Sequence, residues 1–136
     1  MDLRWRSHTR TRLSSFLMDK MSELLQQGDH ITCIAFNYFG DWIVISDNHF
    51  LGSNDSIHQN IIEARNRYGF IRSVDMTNYG YIIVAEKGFR EVGLIPPDLD
   101  DYLTNKQSFD IHCIKFTERG SWLVTDGDSQ YAYYLR

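Results

Sequence analysis

The sequence predicts an α+β fold built from three α-β-β-β repeats of about 40 residues, with small antiparallel sheets and helices packed in layers. Three observations carry that expectation. The strings ITCIAFNYFGDWIVISD from Ile31, IRSVDMTNYGYIIVAEK from Ile71 and IHCIKFTERGSWLVTDG from Ile111 align without gaps at a constant spacing. Each string reads as an apolar strand, a glycine turn and a second apolar strand. Helix-periodic segments separate them. The spacing divides a single domain, residues 1–136, into units of about 13–53, 54–93 and 94–136, preceded by a basic arm over residues 1–12.

Each element follows from local chemistry. Leu13, Phe16, Leu17, Met21, Leu24 and Leu25 recur at three- and four-residue spacing, and Gly28 is placed to cap the helix they form. Ser56 is the expected N-cap of a second helix, with Ile57, Ile61, Ile62 and Ala64 inward and Gly69 beyond its end. Pro96 and Pro97 open a third, with Leu99, Tyr102 and Leu103 inward. The first strands are 31–36, 71–76 and 111–116; the second are 42–46, 82–86 and 122–126. Gly40, Gly80 and Gly120 fall in the intervening loops, where a left-handed residue closes a type I hairpin loop. The pairs Asp47-Asn48, Lys87-Gly88 and Asp126-Gly127 then signal tight turns into third strands, expected over His49–Leu51, Phe89–Val92 and Gln130–Leu135.

Both faces of the first and second strands are apolar. Val44, Val84 and Val124 form one matching column, as do Trp42, Ile82 and Trp122. A sheet with water on one side alternates apolar with polar, so these sheets require a cover on each face: a helix on one and a neighbouring unit on the other. Units one and three are then each expected to leave one apolar face uncovered.

Composition narrows the function classes. Hydrophobic residues at 43% mark a chain able to bury a core, and 14% aromatic residues supply large ring surfaces for it. No apolar run reaches the roughly 20 residues of a membrane helix, and Asp19 and Lys20 interrupt the apolar stretch nearest the N-terminus, so neither a membrane span nor a secretory signal is expected. Two cysteines are too few for a disulfide framework and suit a reducing, cytoplasmic compartment. The charge is asymmetric. The arm has four arginines against one acid, net +3, while the remainder has 10 basic and 17 acidic residues, net −7. An acidic body disfavours nucleic acid, which binds through phosphate neutralisation. The arm is read as a solvated segment or one that docks on an acidic surface.

The pattern I-x-C-I-x-F-x-x-x-G-x-W-x-V-x-x-D, as it stands in Ile111–Asp126, resembles the first two strands of a propeller blade of the WD-repeat kind. The resemblance covers the hairpin string of each unit and leaves the helices and third strands outside it. No Trp-Asp pair ends a unit, and a helix stands where the outer blade strand would be. Three strands and a helix per unit are similar to the α/β-propeller, or pentein, layout, and to hairpin-and-helix repeats of uncharacterised bacterial proteins. The WD-repeat resemblance implies propeller-like packing and a protein-binding scaffold. The pentein resemblance implies hydrolases or transferases of guanidino groups that use a cysteine nucleophile.

Cys33 and Cys113 are the residues of that nucleophilic type, with Ser73 in the same column of unit two. A column of small residues reads as packing, and His112 points to the strand face opposite Cys113. Asp126 to Gln130 has alternating oxygen ligands but lacks the twelfth-position glutamate and helical flanks of a calcium loop. Asp98, Asp100 and Asp101 suit the first turn of a helix. Asp47, Asn48 and His49 are ligand types without a recurrent partner, and the five histidines show no metal-binding spacing. Phosphate-loop, dinucleotide and hydrolase-elbow motifs are absent from the sequence. No cofactor, metal or catalytic residue is therefore expected.

Trp122, Tyr131, Tyr133 and Tyr134 are the candidate interface residues, since Tyr and Trp bring rigid area with a polar tip. The expected function is a non-catalytic binding or assembly module that takes a protein partner or self-associates as a homodimer. Two alternatives are a pentein-like cysteine hydrolase using Cys113 and a small acidic inhibitor or immunity-type protein that masks a basic surface.

Overall fold

The structure, a computed structural model, describes residues 15–106, 108–117, 119–127 and 131–134. The arm lies outside the described residues. The elements run α1 (Ser15–Gln26), β1 (Ile31–Phe36), β2 (Trp42–Ser46), β3 (Phe50–Gly52), α2 (Asp55–Tyr68), β4 (Ile71–Met76), β5 (Gly80–Ala85), β6 (Phe89–Gly93), α3 (Pro97–Thr104), β7 (Ile111–Phe116), β8 (Trp122–Asp126) and β9 (Tyr131–Tyr134). The fold is α+β. Three separate antiparallel sheets form in the orders β1-β2-β3, β4-β5-β6 and β7-β8-β9, each preceded by a helix. Among the described residues no helix is long and apolar enough to cross a membrane.

Caps set the helix limits. Gly28, at φ 77°, ends α1: its N–H bonds the Leu25 carbonyl, and the Asp29 N–H reaches back to Leu24 at 2.9 Å. The cap of α2 is Asn54 rather than Ser56. The Asn54 Oδ1 accepts the Ile57 N–H at 2.9 Å, three residues into the helix, whereas Ser56 already lies inside it. Pro97 opens α3, where its missing N–H costs nothing.

The helices are the shared covers of the sheets. Ile57, Ile61 and Ala64 of α2 pack against Ala35, Ile43 and Ile45 of the first sheet and against Val74, Met76, Tyr81 and Ile83 of the second. Leu99 and Leu103 of α3 join Ile82 and Val84 from the second sheet with Ile111, Ile114, Trp122 and Val124 from the third. Leu17, Met21 and Leu24 of α1 cover Trp42 and Val44. Every residue of β2 is buried, and so are five of the six in β5, as apolarity on both faces requires. Each fully enclosed side chain, such as Ile61 or Ile83, stabilises the fold by about 2 kcal/mol.

This arrangement corrects one of the two expected open ends: the outer face of unit one is closed by α1. In unit three the face left without a helix carries Lys115, Leu123 and Thr125, where unit one has Ala35, Ile43 and Ile45. Two of those three replacements exchange an apolar for a polar side chain, and Leu123 is 40% exposed there.

The gapless alignment also fails in one place. Phe36 pairs with Trp42 and Phe116 with Trp122, but Met76 pairs with Tyr81, so the hairpin loop of unit two is one residue shorter. From there on, unit two runs one position ahead of the shared spacing. The true columns are Trp42/Tyr81/Trp122 and Val44/Ile83/Val124, not those through Ile82 and Val84. The tight turn likewise uses Glu86 and Lys87 instead of Lys87 and Gly88, since the Ala85 N–H bonds the Gly88 carbonyl at 2.9 Å.

The cause lies in the loop. Asn37 Oδ1 accepts the Phe39 and Asp41 N–H groups, holding a longer loop in which Gly40 is left-handed at φ 87°. Gly120 repeats this at φ 79°, with the Ser121 N–H on Thr117 Oγ1. In unit two the Thr77 hydroxyl collects the N–H groups of Tyr79 and Gly80 and closes a shorter turn. Gly80 is therefore not left-handed; it opens β5 opposite Gly93, and a Cβ there would lie 2.6 Å from the carbonyl oxygens of Val92 and Leu94.

Two mechanisms thus protect the three glycines, and asparagine separates them. Asn tolerates the left-handed region, so Gly40→Asn and Gly120→Asn are expected to cost about 1 kcal/mol or less. Gly80→Asn forces side-chain atoms into backbone and is expected to cost about 3 kcal/mol. Thermal unfolding of the three variants checks this; equal losses at all three positions would restore the shared-turn alignment.

Candidate functional site

The first strands end side by side at one end of the array, and a cleft of about 330 Å³ opens there. Phe36 and Asn37 from unit one, Asp75 and Asn78 from unit two, and Phe116 and Thr117 from unit three contribute to its walls. Side chains rather than a strand ladder join the units at this end. Asn37 Nδ2 donates to the Thr77 carbonyl at 3.3 Å, and the Tyr38 N–H donates to Asn78 Oδ1 at 3.0 Å. The Phe116 N–H donates to Asp75 Oδ2 at 2.7 Å. Burial pushes the Asp75 carboxyl above its ordinary value, against the opposing pull of the Phe116 N–H and the Lys115 charge.

Above the cleft the loop tips expose large rings. Phe39 is 68% and Tyr79 70% exposed, with centroids 6.4 Å apart in an edge-to-face contact. Leu94, 73% exposed, stands next to them because its N–H bonds the Tyr79 carbonyl at 3.0 Å. Rings at this exposure contribute nothing to the core, so their chemistry is directed outward.

The expected cysteine column sits between the inner strands. Cys33 Sγ donates to the Val74 carbonyl at 3.3 Å and accepts the Val74 N–H at 3.4 Å, so it links β1 to β4. Burial raises the pKa of its thiol. Ser73 occupies the same column and is buried, with no hydrogen-bond partner for its hydroxyl. Cys113 is half-buried and His112, its neighbour on the strand, is exposed. Neither cysteine is in a disulfide.

Of the expected interface residues, Trp122 is not at the surface. It is 6% exposed, packs on Tyr102 with centroids 5.7 Å apart, and donates its Nε1–H to Asp98 Oδ2 at 3.1 Å. A Trp in the first position of the second strand faces the helix of its own unit, as Trp42 also does. Tyr131, Tyr133 and Tyr134 lie on β9, and their side chains are outside the described residues. The residues that are exposed, Phe39 and Tyr79, sit in loops that sequence reading treated only as turns. Their signal was an aromatic pair, Tyr38-Phe39 and Tyr79, in segments that otherwise favour small polar residues.

A second polar constellation escaped sequence reading. Asp29, with its side chain 3% exposed, receives four donors: Ser46 Oγ at 2.7 Å, His49 Nδ1 at 2.7 Å, the His30 N–H at 3.0 Å and Asn48 Nδ2 at 3.2 Å. These hold its pKa down to about 2, the His49 bond first and Ser46 next. Glu91 goes the other way. It is pushed up to about 7, first by burial and then by Asp100 through a hydrogen bond and its like charge, and its Oε1 is buried without a partner.

No protein-family model matches this chain, and no curated protein or solved structure matches it either.

Asp29 makes acid stability testable. Its folded pKa lies below its unfolded value near 4, so its contribution is complete above about pH 4 and disappears as pH falls through about 2. Denaturant midpoints of the protein and of Asp29→Asn are expected to differ at pH 5 and to converge toward pH 2. A gap that stays constant across that range would mean the carboxylate is not stabilised by its donors.

The Cys33 geometry predicts a slow thiol. Iodoacetamide at neutral pH is expected to modify Cys33 more slowly than it modifies glutathione, and Cys33→Ser is expected to cost about 1 kcal/mol, since serine already fills the column at position 73. Labelling of Cys33 faster than glutathione would identify an activated nucleophile.

Proposed function

We propose that this chain is a non-catalytic assembly module whose loop-tip end docks a protein surface, the first partner being a second copy of itself. One observation carries the reading: Phe39 and Tyr79 meet edge to face and, with Leu94 bonded through its backbone to Tyr79, are the most exposed large apolar side chains among the described residues, beside an open cleft. A ridge of this kind packs on its own copy about a two-fold axis, the commonest closed symmetry, so that each Phe39–Tyr79 pair meets the other. Aromatic side chains bring large contact area for little conformational entropy.

Other features support the same reading. The inner strands β1, β4 and β7 lie next to one another while the third strand of each sheet is outermost, a layout that suits a propeller-type scaffold. Cys33 serves as a link between strands and its pKa is raised, which suits packing more than nucleophilic chemistry. Two unpaired thiols suit a reducing, cytoplasmic setting.

Sedimentation velocity at low micromolar concentration tests the assembly. The protein is expected at about twice its chain mass of 16.0 kDa, and Phe39→Ser/Tyr79→Ser at the single mass with an unchanged circular dichroism spectrum. A single species at 16.0 kDa for the unmodified protein removes the homodimer. A double variant that still dimerises moves the interface away from the ridge.

A further inference from the structure

At the opposite end of the first sheet, beside the β2–β3 turn, a smaller cleft of about 170 Å³ is lined by Thr32, Asp47, Asn48, His49, Arg65 and Phe70, among others. We propose that His49 and Arg65 form in this cleft a binding site for a small phosphomonoester, with buried Asp29 as the residue that positions His49.

The corresponding turn of unit two has the same bond, Ala85 N–H to the Gly88 carbonyl at 2.9 Å, as Ser46 N–H to the His49 carbonyl at 2.8 Å in unit one. There the Glu86 carboxylate, 3.0 Å from where a Gly69 Cβ would lie, accepts the Phe70 N–H at 2.8 Å, as Asp29 accepts the His30 N–H at 3.0 Å in unit one. A carboxylate on the entering strand's N–H is thus common to both turns, and what unit one adds is the side-chain donors Ser46, Asn48 and His49, where unit two has Ala85, Lys87 and Gly88.

That addition fixes one imidazole. An ionised carboxylate only accepts, so at 2.7 Å from Asp29 Oδ2 the His49 Nδ1 must carry hydrogen. The remaining ring nitrogen, Nε2, belongs to a side chain that is 52% exposed. The ring cannot change tautomer without losing the Asp29 bond, and its backbone N–H is tied to Ser46 Oγ at 2.9 Å. Arg65 supplies the second element from the last turn of α2, its guanidinium 4.6 Å above the Phe70 ring.

Phosphate chemistry suits this pair in either proton state. A monoester exchanges between monoanion and dianion close to neutral pH. The monoanion donates its P–OH to Nε2, and the dianion accepts from a protonated Nε2, so one proton bridges the two in both cases. The Arg65 fork takes two further oxygens, as guanidinium does with planar or tetrahedral oxyanions. The charged and titratable groups around His49 are Asp29, His30, Asp47 and Arg65, with Glu86 held at 2.8 Å on the Phe70 N–H; Asp47 lies 3.5 Å from His30 Nδ1. The volume is below the range for drug-sized ligands and suits a phosphate-sized head with its ester group against Phe70. A metal ion fits less well, because no group of three His, Cys, Asp or Glu able to hold one occurs among the described residues.

Imidazole nitrogen NMR near neutral pH tests the site, with inorganic phosphate and phenyl phosphate as probes. Both are expected to shift His49 Nε2 saturably, phenyl phosphate at lower concentration. Arg65→Gln is expected to weaken both by about tenfold. Asp29→Asn weakens them as well; His49→Ala, at an exposed ring, abolishes binding measured by calorimetry even if the Asp29 variant does not fold. An unmoved Nε2, or an equal response in Arg65→Gln, overturns the proposal. Equal affinities for the two probes overturn the ester in favour of free phosphate, and a shift with zinc ion alone overturns it in favour of a metal.

Discussion

Apolar residues on both faces of every second strand are the constraint from which the rest of the architecture follows. A sheet of three short strands with Ile43 and Ile45 on one side and Trp42 and Val44 on the other cannot rest against a single cover. Neighbouring sheets meet directly along their inner strands, β1 on β4 and β4 on β7, and α2 and α3 each fill the space left between two sheets and cover a face of both. α2 is among the most demanding of these elements, because, like Leu99 and Leu103 of α3, its Ile57, Ile61 and Ala64 meet side chains from two sheets at once. Its buried face has little freedom to vary, whereas Glu63 and Arg90, an ion pair at its rim, contribute little by comparison.

The same constraint explains how the array ends. At the start, α1 is a cover with a sheet on one side only, and Phe16 remains 59% exposed while resting on Trp42. At the other end no fourth helix follows, and the third sheet changes composition: lysine and threonine take the places of alanine and isoleucine. This is how repeat arrays blunt a terminal face. Among the described residues, the most exposed large apolar side chains are then Phe39 and Tyr79 at the loop tips and Leu94 beside them.

Sequence periodicity revealed the repeat and the order of its elements because apolar spacing and turn residues are local properties. It could not reveal a loop shortened by one residue. Gly80 stands midway along the chain between Gly40 and Gly120, and an identity at the repeat spacing looks like an equivalence. The difference lies in which N–H groups the opening residue gathers: Thr77 takes those two and three residues on, whereas Asn37 and Thr117 reach the one four residues on. Trp122 was misread for a related reason. Its residue type suits interfaces, but its burial depends on which strand face meets the helix, and that is a matter of register. Asp29 was silent because its partners, Ser46, Asn48 and His49, come from a turn 17 to 20 residues away and form no recognisable spacing.

The three helix-and-sheet units can be compared with one another, and that bears on where function resides. Features present in all three units, such as the helix covers and the polar residue that opens each hairpin loop, are what the fold requires. Features found once are free of that requirement. Asp75 stands where the other units have Ala35 and Lys115, at the floor of the loop-tip cleft. The ridge needs Phe39 and Tyr79 from two different loops, while the third loop offers no ring among its described residues. The Ser46, Asn48 and His49 donors to Asp29 belong to unit one, while a carboxylate on the entering strand's N–H occurs in units one and two alike. Because burying a carboxylate carries a desolvation cost, the buried acids Asp29, Asp75 and Glu91 are stronger pointers to chemistry than a column of identical cysteines or glycines. By that reasoning the two ends of the array have separate roles: the loop tips present area to a macromolecule, and the turn end presents one oriented imidazole to a small anion.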